Sequence, residues 1–474
     1  MKKFLQSGMW VFSSNLIIRI IALAVTPILA RNFPKEDLSV FRSLQSIVLI
    51  VFTLLPLGTN LLYISEKKED REKYWSLFIL VTSITAIIAF PLLYLLTFRS
   101  YTNIPLMNLF VILIPISSFL KNIYTAKYTE SIMFKAISMS ILFRQMTLYS
   151  LIILFTYFTG RTIEFLIIAM LVSEAVEVFS LNWFGKSLRS FFRNFRQKIT
   201  FDKKAKEFTL YTGGSNTIIN LALQLPSVLV LSLLGKNLAV EFQMPLVLVS
   251  IPVSLLVMSV TSVMFPFLSN NRENDKMQKI VLNTQYIFYV TGLPICFFMF
   301  YFAEELSILL FNPEWKYVAY ALKFLAIGTF FNILQNPLSQ ICLIKNRPKI
   351  AFYYAISLLA FRLIGLYIGF YTYGFMGSVV FFVLFDSLVR IIRISIDIRL
   401  ISLTIGNYLD NIKFPLLVTM LVILIQIVGT FSNINNYLLF GAMSIVYLFG
   451  IYIFDKHRAY KLIFSLKNGM KNEG

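Results

Sequence analysis

In 474 residues there is one histidine and there are two cysteines. His457 lies in the C-terminal tail, which excludes a histidine proton relay inside the fold. Cys296 and Cys342 have no CxxC partner spacing and provide neither a metal site nor a disulfide framework. Acids are scarce, 23 Asp and Glu against 43 Lys and Arg, and all charged types together make up only 14%. No GxxxxGK[ST], HExxH or GxSxG occurs, so the chain lacks an ATP phosphate loop, a zinc-protease helix and a serine-hydrolase elbow. Nothing implies a cofactor. Long outer loops are missing as well, which leaves no room for an external catalytic domain.

What fills the chain instead is apolar sequence, 58% of it. A membrane helix needs about 20 apolar residues. The stretches that qualify are 9–30, 39–64, 76–97, 104–124, 136–158, 163–184, 208–234, 243–268, 282–303, 317–343, 350–371, 375–396, 413–430 and 436–454. The expectation is an all-α polytopic membrane protein of about 14 spans. Met1-Lys2-Lys3 before the first run imitates a signal peptide, but the run is too long and no small-residue cleavage site follows.

A net charge of +20 suggests nucleic acid only until the charges are placed. Most of the Lys and Arg fall in loops on the N-terminal side, and the positive-inside rule makes that side cytoplasmic. Both termini, 65–75 and 185–207 are then inside, and 304–316 is outside. The most basic stretch, "KSLRSFFRNFRQKITFDKKAKEF" (186–208), lies along anionic membrane lipids rather than nucleic acid. In a background with Cys296 and Cys342 replaced, cysteines placed in 185–207 are expected to resist an impermeant thiol reagent added outside. Labelling there would overturn the orientation.

The chain also repeats itself. "SNLII" (14–18) opens the first span and "SNTII" (215–219) the seventh; "AISMSILFRQMTLY" (136–149) recurs with one gap as "AISLLAFRLIGLY" (355–367). Two matches in register, six spans apart, indicate parallel repeats about an axis along the membrane normal. The expected organisation is a six-helix lobe (1–184), a basic linker (185–207), a second six-helix lobe (208–396), an appended helix hairpin (397–454) and a cytoplasmic tail (455–474).

Arg19 stands near the middle of the first span, roughly 15 Å from either end at 1.5 Å per residue. That exceeds snorkelling reach, and a mid-span arginine costs about 2.5–3.5 kcal/mol on insertion scales. A hydrated cavity offsets that cost; a bare packing surface does not require a charge. Asn15, Arg19, Ala22 and Thr26 share a helix face, as do Gly213, Asn216, Asn220 and Gln224 on the seventh span. The repeat matches Arg19 with Asn220 and Arg42 with Gln243. It also places Arg144 and Arg362 on equivalent helices, each followed one span later by an acid, Glu174 or Asp386. These acids are either structural partners of the arginines or sites for a coupling ion. Glu177 shares the face of Glu174, Arg390 lies one turn beyond Asp386, Arg42 lies near the outer surface, and Lys121 and Lys323 sit near span ends, where they snorkel.

The segment "ILARNFPKEDLSVFRSLQSI" (28–47), followed by "SLLGKNLAVEF" (232–242), "VMFPFLS" (263–269), "LLFNPEW" (309–315) and "NRPKI" (346–350), resembles the polysaccharide (oligosaccharidyl-lipid) flippases of the multidrug/oligosaccharidyl-lipid/polysaccharide exporter superfamily. Pro34 and Ser39 depart from the family's usual glycines. The resemblance implies two lobes in a V around a central cavity and no enzymatic step. It also implies a multi-pass protein of a bacterial-type cytoplasmic membrane. The implied substrate is a polyprenyl-diphosphate-linked glycan moved to the outer leaflet, with glycan polymerase machinery as a further partner. From depth, shared faces and repeat mates, the candidate substrate-binding residues are Arg19, Asn15, Asn220, Asn216, Gln224, Arg42, Arg144 and Arg362. Lipid II flippases of the superfamily carry an arginine at the spacing of Arg19; their second falls here at Val25. Two other functions compete: a cation-coupled multidrug exporter of the same superfamily, and a membrane glycan polymerase or ligase, which needs a large outer loop.

Overall fold

The computed structural model describes residues 2–65, 68–101, 104, 106–131, 133–158, 161–184, 201–270, 274–431 and 439–453. The described residues are helical with short turns and contain no strand. In chain order the helices are α1 (Lys2–Asn32), α2 (Lys35–Leu54), α3 (Thr59–Ser65), α4 (Lys68–Tyr101), α5 (Met107–Glu130), α6 (Phe134–Phe158) and α7 (Ile163–Phe184). Then come α8 (Lys203–Phe208), a π-helical turn (Thr209–Gly213), α9 (Gly214–Asn270), α10 (Asn274–Tyr301), α11 (Ala303–Leu310), α12 (Lys316–Ile344), α13 (Pro348–Arg399), α14 (Ile405–Phe431) and α15 (Leu439–Ile453). By length and composition, nine helices among the described residues are able to cross a membrane. Most of the basic stretch at 185–207 and the tail with His457 lie outside the described residues.

Two of the longest helices are hairpins. The α9 path breaks at Gly235 (φ 74°, ψ 167°), and α13 breaks at Tyr373 and Gly374, the latter at φ 59°. Such backbone is open to glycine and strained for other residues. The break in α9 falls between the expected spans 208–234 and 243–268, the first arm beginning at Gly214 after the π-helical turn, and the break in α13 falls between 350–371 and 375–396. In α13 the arms pack backbone to backbone: a Cβ on Gly369 would lie 2.1 Å from the Gly377 carbonyl oxygen. Small residues permit that approach in membranes.

The second expected span, 39–64, is corrected. Its α2 helix stops at Leu54, and α3 resumes at Thr59 after a turn holding Leu57 and Gly58 at positive φ. The Pro56-Leu57-Gly58 sequence carried the turn signal. Gly58 meets Gly213, the last residue of the π-helical turn: a Cβ on Gly213 would sit 2.5 Å from the Gly58 Cα, and one on Gly58 2.0 Å from the Gly213 Cα. Backbone lies on both sides, so neither partner relaxes by rotamer change. Gly213→Ala is expected to cost about 3 kcal/mol, the upper range for overpacking, read as thermal unfolding of the purified protein. Wild-type stability would contradict the close approach.

The chain packs as two compact units. The first comprises Met1–Leu255, Met299–Gly328 and Arg347–Val389. In it α1 packs on α6, α6 on α7, α5 on α4 and α7, and α2 on α5 and α7. One end of this bundle is an aromatic plate of Tyr63, Tyr74, Trp75, Phe78, Tyr124 and Tyr128. Its hydroxyls are spent on partners: Tyr128 donates to the Leu181 carbonyl (2.6 Å) and Tyr124 to Asn182 (2.8 Å). Beside it Asp202 caps α8, accepting from the Ala205 N–H and from Lys73, both at 2.8 Å. The Lys73 ammonium and that N–H hold the Asp202 carboxyl down at about 2. This cap is complete at neutral pH and is lost only as pH falls toward that value.

The second unit comprises Leu256–Phe298, Thr329–Asn346 and Arg390–Gly474. Gln285 of α10 is its polar hub, donating to the Leu334 carbonyl of α12 (2.9 Å) and accepting from Tyr408 of α14 (3.0 Å). Asn411 donates to the Leu282 carbonyl at 2.9 Å. Arg393 bonds both Asp397 and Cys342 at 2.8 Å, and all three side chains are buried.

Candidate functional site

The first unit gathers buried charge in two arrangements, one neutralised and one not. The neutralised one joins α5, α6 and α7. Glu174 accepts from Lys121 and from Arg144 (3.1 Å), and Glu177 lies 3.3 Å from Lys121 and 3.1 Å from the Arg144 Nε. Two cations and two carboxylates thus form a closed quartet, with the Phe52 ring over Lys121. The expected Arg144–Glu174 contact is present, and Glu177 joins it. Lys121 corrects the expectation that it snorkels, because it is buried and its helix runs on to Glu130. Lys323 pairs with the exposed Glu304 at 2.6 Å.

The repeat-related arginine is matched more simply. Arg362 donates through Nε to Asp386 and through a terminal nitrogen to the Ala222 carbonyl, both at 2.6 Å, with the Phe382 ring 5.2 Å away. In the other unit, Arg390 donates to Asn332 (2.8 Å) and Gln335 (3.2 Å).

The arrangement without acids involves Arg19 and Arg42. Arg19 of α1 reaches the Ser250 hydroxyl of α9 at 3.1 Å, and no described carboxylate pairs with it. Arg42 of α2 contacts the Gln45 amide oxygen (3.0 Å) and the Met244 sulfur (3.7 Å); its Nε is buried without a partner. Of the arginines on α1, α2 and α6, only Arg144 has carboxylate partners among the described residues. Sequence reasoning missed Ser250, whose meeting with Arg19 depends on how α1 and α9 pack.

The neighbouring polar residues behave differently. Asn15 donates to the Val11 carbonyl and Thr26 to the Ala22 carbonyl, both at 2.7 Å, and Asn220 to the Asn216 carbonyl at 2.9 Å. Asn216 is exposed and Gln224 half-buried. No contact among the described residues joins Asn216, Asn220 or Gln224 to Arg19.

The repeat register reappears in space. The offset from Ser14 to Ser215 matches Arg42 with Gln243 and Ser43 with Met244. Arg42 touches Met244, while Gln243 donates to Ser43 at 3.0 Å and to the Ser227 carbonyl at 2.6 Å. Each residue thus meets the mate of its neighbour, as two parallel equivalent helices do when they pack side by side.

Beyond these arginines, the α1–α2 turn is clasped to α9 and the 309–317 segment. Lys35 bonds Glu241 (2.7 Å) and the Glu314 carbonyl (2.9 Å), with its ammonium 5.0 Å from the Trp315 ring. The other Glu241 oxygen accepts the Tyr317 N–H at 2.6 Å, and Arg31 donates to the carbonyls of Leu309 (2.7 Å) and Phe311 (3.2 Å).

Residues 4–272 match the family described as polysaccharide biosynthesis protein, and residues 212–368 match the MatE family. No curated protein matches by sequence. Among solved structures, the fold is similar to a lipid II flippase MurJ in an inward closed conformation: TM-score 0.68, 15% identity, covering 94% of this chain and 99% of that one. It is similar to an inward-facing multidrug resistance MATE family transporter of the MOP superfamily: TM-score 0.64, 15% identity, covering 84% and 98%. A MOP superfamily transporter from Pyrococcus furiosus, titled for the reversed polarity of its binding pocket, gives TM-score 0.58 at 14% identity, covering 84% and 95%. These likenesses, all at low identity, establish the fold.

Proposed function

We propose, for a chain that belongs to the polysaccharide biosynthesis protein family, that it carries a polyprenyl-diphosphate-linked oligosaccharide from the inner to the outer leaflet by alternating access of its two repeats. The observation that carries the reading is the pair of part-buried arginines, Arg19 and Arg42, with which no described carboxylate pairs. An anionic headgroup cannot enter hydrocarbon unpaired without a cost of many kcal/mol. Guanidiniums offset that cost with charge-assisted, bidentate bonds to phosphate. A lipophilic cation gains nothing from such a site and is repelled by it, which sets the reading against drug export. The lipid tail stays in the bilayer, and no covalent bond changes.

Arg362 and Asp386 serve as a structural pair within the second repeat, while Asn15, Asn216, Asn220 and Gln224 line the path rather than bind charge. The protein sits in a bacterial-type cytoplasmic membrane with both termini inside. A deletion strain is expected to accumulate polyprenyl-linked glycan facing the cytoplasm, and expression of the chain should clear it. Undiminished surface glycan in the deletion strain, with no inward-facing pool, would contradict the proposal.

A further inference from the structure

Three segments picked out of the sequence, 28–47, 232–242 and 309–315, meet at one end of the first unit. Arg31, in the last turn of α1, donates to the carbonyls of Leu309 and Phe311, where α11 ends. A cation is favoured at such a terminus. Lys35, at the start of α2, reaches Glu241 (2.7 Å) and the Glu314 carbonyl (2.9 Å), with its ammonium 5.0 Å from the Trp315 ring. Lys35 falls in the first copy of the sequence repeat; Glu241, Glu314 and Trp315 fall in the second. In the orientation proposed above, this end faces outward. Further along α9 the second copy offers uncharged partners: Gln243 to Ser43, Met244 to Arg42 and Ser250 to Arg19.

The two carboxylate oxygens of Glu241 have separate partners. One takes Lys35, and the other takes the Tyr317 N–H at the start of α12 at 2.6 Å. Glu241 is therefore held in place by its own repeat, ready to receive a cation from the other. With the ends together its side chain is 5% exposed and that of Lys35 22%. The attraction of such a pair is largely offset by the cost of taking both charges out of water. When the repeats part here, water reaches both charges and Glu241 keeps its Tyr317 bond, so neither charge is stranded. That suits a contact made and broken in every cycle. We propose that Lys35–Glu241 is the latch of the outer face, holding the repeats together there and releasing when the protein opens outward. This inference rests on the alternating access read above, not on the nature of the cargo.

The test follows Met244→Cys, made in a chain whose Cys296 and Cys342 are replaced. Met244 is buried against Arg42. An impermeant thiol reagent added outside reaches a cysteine there only when the repeats part. Glu241→Gln keeps an acceptor for the Tyr317 N–H but leaves the Lys35 charge uncompensated in the closed arrangement. Labelling is expected to speed up about tenfold or more, between the small worth of exposed ion pairs and the larger cost of breaking buried ones. Adding Lys35→Met removes the uncompensated charge and should bring labelling back toward the parent rate. If Glu241→Gln does not fold, Lys35→Met alone takes its place, since it also leaves one charge without its partner. Unchanged labelling in a folded single variant, or no return in the double variant, would overturn the latch. A reporter that neither parent nor variant exposes would instead remove the alternating access on which it rests. No cargo is present, so a failed headgroup reading does not alter the outcome.

Discussion

Arg19→Gln is expected to abolish glycan export while membrane abundance stays near wild type. The side chain rests on one hydroxyl, Ser250, so its loss leaves no carboxylate buried and unpaired. Folding therefore tolerates the change. Transport does not: losing about 3 kcal/mol, the upper value for a charge-assisted hydrogen bond, amounts to roughly a hundredfold. Arg19→Lys keeps the charge but forfeits the fork, and should retain part of the activity. Arg42→Gln is expected to behave like Arg19→Gln, because Arg42 likewise lacks an acid. Export measured against abundance decides the matter. Wild-type export by Arg19→Gln at normal abundance would make Arg19 a hydration residue and shift the site to Arg42 and Arg144.

The opposite pattern is expected at Glu174. Both of its oxygens are engaged, one by Lys121 and one by Arg144. Glu174→Ala leaves two cations facing Glu177 alone, and removing one partner of a buried pair costs about 3–5 kcal/mol. Folded yield and thermal unfolding should collapse together. Removing Arg144 as well restores the balance of one cation against one acid, so the double variant should be less damaged than the two single losses combined. A double-mutant cycle on unfolding temperature exposes that coupling. Simple additivity would mean that the two residues do not act as a unit.

These two cases show where the sequence was informative. The Arg144–Glu174 and Arg362–Asp386 pairs were legible because a parallel repeat places the same chemistry at the same depth twice. Lys121 was not, because a span end was drawn at residue 124 while α5 continues through polar residues to Glu130. Helix ends are set by capping and packing as much as by hydropathy, so a lysine in the helix body was mistaken for one at its rim. The break between α2 and α3 was signalled by Pro56 and Gly58 yet hidden by the apolar residues on both sides. Ser250 had no signal at all. Its hydroxyl meets Arg19 only because α9 lies against α1, a tertiary fact that helical periodicity does not contain.

The most direct measurement is translocation in vesicles holding the purified protein and a polyprenyl-diphosphate-linked oligosaccharide. Appearance of the glycan on the opposite face is followed with an impermeant lectin or glycosidase. Glycan should cross with the wild-type protein and fail to cross with Arg19→Gln. If no glycan crosses while the same vesicles move a lipophilic cation in a manner that depends on Glu174 or Asp386, the chain is a drug exporter and the headgroup reading is wrong.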